Sequence, residues 1–98
     1  MNIHFDVYRG DEDVVISKQG DRLTINGEEF DFSAIPEGAL LPASAVKSEF
    51  ISSARPIERL NGEIHLTLRI PHKENASKER RFLEPIVDAP NGFLELPQ

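Results

Sequence analysis

Three Asn-Gly dipeptides, at Asn26-Gly27, Asn61-Gly62 and Asn91-Gly92, lie between runs that alternate apolar and polar residues. Asn-Gly favours the type I′ turn, whose two central residues both need positive φ, and that turn matches the twist of two antiparallel strands. A chain marked this way is expected to meander as β-hairpins.

Register arithmetic tests the first hairpins. A two-residue turn at Asn26-Gly27 sets Ile25 opposite Glu28 and Leu23 opposite Phe30. A second such turn at Gln19-Gly20 sets Lys18 opposite Asp21, Ile16 opposite Leu23 and Val14 opposite Ile25. Side chains alternate with period two, so Val14, Ile16, Leu23, Ile25, Phe30 and Phe32 share one face. Ser17, Arg22, Thr24, Glu29 and Asp31 take the other, where Val15 is the apolar exception. A three-stranded meander is therefore predicted over residues 13–33.

Asn91-Gly92 reads as a further hairpin, pairing Ala89 with Leu94 and Val87 with Leu96. Asn61-Gly62 admits two readings. A two-residue loop aligns Ile57 with Leu66 and turns Leu60 outward, whereas a three-residue loop with a bulge sets Leu60 opposite Ile64.

Elsewhere Ile3, Phe5 and Val7 alternate as a first strand, and Gly10 to Asp13 turn the chain into the meander. Residues 33–42 form an irregular connection in which Ile35, Leu40 and Leu41 tuck against the core. Residues 43–54 are ambiguous: Val46, Phe50 and Ala54 recur at helical spacing with Ser44 as a cap, but a short strand around Glu49 to Ser52, with room for a single helical turn before it, fits better. Ile64, Leu66, Leu68 and Ile70 give the longest alternation, closed by Pro71. His72 to Arg81 form a polar surface loop, and Phe82, Ile86 and Val87 resume the β pattern with Pro85 at an edge. The fold class is all-β: a small antiparallel β-sandwich or partly open barrel of about eight short strands joined by hairpins, in a single domain over 1–98.

Composition narrows the function classes. The 98 residues hold no cysteine, which excludes disulfides and thiolate metal sites. The net charge of −6 argues against a general nucleic-acid binder. No stretch has transmembrane length and the N-terminus opens directly in a strand pattern, so a protein of the cytoplasm without membrane contact is expected.

No catalytic, cofactor-binding or metal residues are assigned from the sequence, and no enzyme activity or cofactor is expected. Asp6, Asp11, Glu12 and Asp13 concentrate oxygen ligands but fit no calcium-loop spacing. His4, His65 and His72 share no short ligand spacing, and His4 and His65 lie opposite the apolar stripes of their strands, half-exposed. A His4–Asp6 pair lacks a nucleophile, since none of Ser44, Ser48, Ser52 and Ser53 sits in a Gly-x-Ser-x-Gly context. Lys73, Lys78, Arg80 and Arg81 are diluted by Glu74 and Glu79, as in a solvated loop. Val15 and Leu60, turned outward, suit an oligomer interface as well as chance exposure.

Several phrases carry a resemblance: Ser17 to Glu28, Phe30-Asp31-Phe32-Ser33, Ile35-Pro36-Glu37-Gly38, Ile57 to Gly62, His65-Leu66-Thr67-Leu68, Pro71-His72 and Pro85-Ile86. Together they resemble small prophage proteins encoded near the tail genes of Mu-like and other long-tailed phages, over nearly the whole chain. The resemblance implies a non-enzymatic structural or assembly role in the phage tail region, with other tail or assembly proteins as partners and an association with the virion, and it carries over no site residues. The alternative expectation is a small ligand-binding β module for a carbohydrate or divalent cation, using the 33–48 connection or the acidic turn at 11–13.

Overall fold

A computed structural model describes all residues 1–98. Its strands are β1 (Asn2–Arg9), β2 (Ile16–Gln19), β3 (Arg22–Ile25), β4 (Glu28–Asp31), β5 (Leu40–Leu41), β6 (Ile57–Leu60), β7 (Glu63–His72) and β8 (Gly92–Phe93). A 3₁₀ turn spans Ala43–Ala45 and a single helical turn, α1, spans Lys78–Arg81. The strands form two open four-stranded sheets, β1-β7-β6-β5 and β4-β3-β2-β8, a small all-β sandwich.

Both sheets feed one core. Ile64, Leu66, Leu68 and Ile70 on β7 are at most 1% exposed, and they meet Ile16, Leu23 and Ile25 of the second sheet. Each such side chain contributes about 1.5–3 kcal/mol through removal from water. Strand β7 is the spine of the first sheet. It pairs with β6 antiparallel and with β1 in parallel, from Asn2↔His65 to Arg9↔His72. A parallel neighbour needs a long crossover rather than a tight turn. Here residues 10–62, which include the β2–β4 meander, β5 and β6, make that connection.

The Asn26-Gly27 hairpin forms as expected, with Leu23 opposite Phe30, Ile25 opposite Glu28, and positive φ at both turn residues. The preceding turn is corrected by one residue, and its cross-strand register by two. It centres on Gly20 and Asp21, so Ile16 faces Ile25 and Lys18 faces Leu23. Gly20 has φ of 59°, which suits the first central position of a type II′ turn. A slip of two leaves every side chain on its face. The apolar stripe therefore survives and Val15 stays outside.

At Asn61-Gly62 the loop has two residues, with φ of 52° and 80°, and Leu60 points outward opposite Glu63. The Glu37 carboxylate accepts from both turn amides, at 2.8 Å from Asn61 and 2.6 Å from Gly62, and so pins the irregular 33–42 connection. Within that connection Ile35 and Leu41 pack on the core, but Leu40 is exposed on the short β5. The 43–54 segment has no α-helix, and Ser44 caps nothing. Its strand character is one bridge, Ile51 to Leu68.

The Asn91-Gly92 hairpin does not form. Gly92 and Phe93 pair instead with Lys18 and Ser17 on β2. Pro90 lacks the N–H that a tight hairpin there requires of the residue before the turn. Val87 is correspondingly exposed, and the backbone of 82–85 takes no strand pairing. Ile86 alone bridges to Ile3. Strand β7 also runs through Pro71 to His72 instead of stopping before it. Arg69 N donates to Phe50 O on the side of β7 away from β1. Pro71, two residues on, points its missing donor the same way, so the ladder with β1 loses nothing.

Candidate interaction surface and polar face

The segment that leaves β7 returns along the outer edge of β1 and opens a groove there. Ser77 caps α1 by accepting from Arg80 N at 3.1 Å. Arg80 fastens this turn to the body, donating from Nε at 3.0 Å and from Nη2 at 2.9 Å to Pro71 O, and from Nη1 at 3.0 Å to Pro97 O. Burial lowers its pKa from the usual guanidinium value. Phe82 then emerges 71% exposed. Beside it lies a cavity of about 400 Å³ lined by Phe5, Leu83, Ile86 and Leu96 and rimmed by Glu79, Glu84 and Glu95. None of these glutamates has an ion-pair partner within 4.0 Å.

The outer face of the first sheet is polar. His4 and His65 lie on adjacent strands beside Arg55 and Glu58, around a depression of about 220 Å³. Thr67 is paired in register with His4 and lines the same depression. It is only 5% exposed and its Oγ1 has no hydrogen-bond partner. Asn2 Nδ2 donates to Glu63 Oε2 at 3.2 Å and lies 3.5 Å from the ring nitrogens of His65. Further along, Ser52 Oγ donates directly to Asp6 Oδ2, without an intervening imidazole. Tyr8 stacks under the Arg69 guanidinium, 4.2 Å from ring centre to Cζ. Desolvation, with Glu12 nearby, pushes the Tyr8 phenol above its ordinary value of 10.0.

The acidic residues singled out from the sequence do not converge. Asp11 pairs with Arg9 at 2.8 Å and Asp13 with Lys73 at 3.2 Å, while Asp6 is taken by Ser52. His72 sits apart, its Nδ1 3.1 Å from Lys73 O. No group of three His, Cys, Asp or Glu side chains has metal-holding geometry. Of the basic residues 73–81, Arg80 and Arg81 bind backbone carbonyls, so they brace the loop instead of facing a ligand.

Sequence reasoning missed the groove because it placed Phe82 and Val87 in a strand. The useful signal was Pro85, whose ring fixes φ at about −65°, away from regular strand geometry, one residue before the single bridge from Ile86 to β1. No helix is long and apolar enough to cross a membrane. Compared with known families, curated proteins and solved structures, the chain matches no family model, no curated protein and no solved structure.

Proposed function

We propose that the protein is a non-enzymatic assembly protein of a phage tail region that acts through protein–protein contacts. The observation that carries this reading is the apolar groove beside Phe82, with its three unpaired glutamates. Isolated exposed apolar residues are ordinary, but a concave apolar site with a charged rim suits a partner side chain. The tail context rests on the family resemblance. Purification from induced lysogens tests it: the protein should travel with tail-assembly complexes or virions, and absence from both would overturn it.

A second reading, a small ligand-binding β module, is favoured by the orphan Thr67 hydroxyl at the His4–His65 depression. A ligand that binds only the folded state raises the melting temperature. A thermal-shift screen against sugars and divalent cations decides it, and a flat screen removes it.

A further inference from the structure

Strand β1 has an edge that its own chain leaves half covered. Ile3 exchanges both backbone hydrogen bonds with Ile86, at 2.9 Å each, on the side away from β7. Met1 O accepts from Ala89 on that same side, whereas Gly10 N donates to His72 on the β7 side. The register with β7 runs unbroken from Asn2 to Arg9. Backbone groups alternate in direction along a regular strand. The N–H and C=O of Phe5 and Val7 must therefore point the way Ile3 does, away from β7. Antiparallel continuation from Ile86 would bring residues 84 and 82 beside them, but Pro85 and the α1 exit carry the chain off, and neither Phe5 nor Val7 has a backbone partner on that edge.

We propose that this open edge at Phe5 and Val7 is a strand-addition site for an extended segment of a partner protein in which apolar residues alternate with lysine or arginine. The proposal rests on the protein-contact reading above and specifies its partner. In strand addition the main-chain bonds supply affinity, and pockets for alternate side chains supply specificity. Here the pocket is adjacent: Phe5 and Ile86 border both the open edge and the groove. Every ionisable residue lining that groove is a glutamate, so cationic side chains flanking an apolar anchor are complementary to it. The same charges, with a chain net charge of −6, oppose a second copy of this chain in that place.

The probe is a capped octapeptide of alternating lysine and valine, titrated into the isotopically labelled full chain and followed by amide chemical shifts. Saturable changes at Phe5, Val7, Leu83 and Ile86 are expected. A glutamate–valine peptide, and a lysine–valine peptide N-methylated along one edge, should each bind at least about tenfold more weakly. The Val7→Pro variant should also lose binding, because it deletes an outward donor and spares the β7 ladder. Should that variant not fold, the N-methylated peptide tests the same point on the native chain. Equal binding by the N-methylated peptide, changes centred on β4, or no change at all would each overturn the proposal. So would a dimer in solution that Val7→Pro dissolves, since the occupant would then be a second copy. Failure here alongside continued co-purification with tail complexes would refute strand addition and leave the assembly role standing.

Discussion

Arg59 on β6 donates from Nη2 to Asp21 Oδ2 at 2.8 Å, so one guanidinium ties the first sheet to the β2–β3 turn of the second. The same side chain, 13% exposed, donates from Nε to Ile35 O at 2.5 Å, from Nη2 to Phe32 O at 3.3 Å, and from Nη1 to Gly62 O at 3.0 Å. It spends all three nitrogens on loop carbonyls and one carboxylate where the sandwich ends. Arg59→Ala strands those acceptors and should cost about 2–4 kcal/mol in urea unfolding. Arg59→Lys should recover less than half of the loss, because an ammonium gathers its three donors on one nitrogen and cannot span acceptors spread around Nε, Nη1 and Nη2. A loss below about 1 kcal/mol would mean that the sheets hold together without it.

Lys18 sits on the inner face of β2, only 9% exposed, and its Nζ donates to Asn91 Oδ1 at 2.8 Å. The same oxygen accepts from Gly20 N at 3.0 Å. Asn91→Ala leaves a nearly buried ammonium without its acceptor and should cost about 1–3 kcal/mol. Asn91→Asp keeps the acceptor and should stay close to the parent. Equal losses for both variants in thermal unfolding would contradict this role.

Asn26 does more than turn the chain. With φ of 49°, it accepts from Val15 N at 2.8 Å and donates to Asp13 O at 3.1 Å, which clamps the entry to β2. Asn26→Gly retains the turn and loses the clamp, at a cost of about 1 kcal/mol. Asn26→Ala loses both and should cost more. Denaturant midpoints of the two variants give the order.

The Asn26-Gly27 reversal was legible in full because its chemistry is local, whereas Asn61-Gly62 left its loop length open and the equally tight Gly20-Asp21 turn read one residue early. Asn26-Gly27 and Asn61-Gly62 encode their own φ values, and period-two alternation then allots Leu23, Ile25 and Phe30 to one face. Non-local pairings were not. Nothing near Ile3 indicates that it lies parallel to β7, since that depends on where a hairpin more than fifty residues later docks. Arg59 was invisible for the same reason: it reads as a polar residue before a turn until the second sheet arrives. The groove stayed hidden because Phe82 and Ile86 carry β-favouring side chains, and only the packing of α1 by Arg80 sends Phe82 outward.

Tyr8 is the only tyrosine and there is no tryptophan, so phenolate absorbance reports a single group. Its folded pKa is raised, chiefly by desolvation. The phenol's contribution to stability is thus complete below the unfolded value near 10.0 and is lost as pH climbs through the folded value. The titration midpoint should lie above 10.0 in the native protein and fall back in denaturant. Tyr8→Phe should flatten that alkaline loss, and a native midpoint at or below the denatured one would contradict the burial.

Phe82 is 71% exposed, and truncating it removes little from the core. Phe82→Ala should change unfolding free energy by no more than about 0.5 kcal/mol. A partner that uses the groove should nonetheless bind it markedly less well. A loss above about 2 kcal/mol in the isolated chain would make Phe82 a packing residue instead.

Residue-resolved hydrogen exchange along β1 in the isolated chain tests the open edge most directly. His4, Asp6 and Tyr8 should exchange slowly against the β7 ladder, Ile3 slowly against Ile86, and Phe5 and Val7 fast. Uniform protection from Ile3 to Tyr8 would mean that the edge is already covered, and fast exchange at His4 and Asp6 would mean that the parallel pair with β7 does not exist.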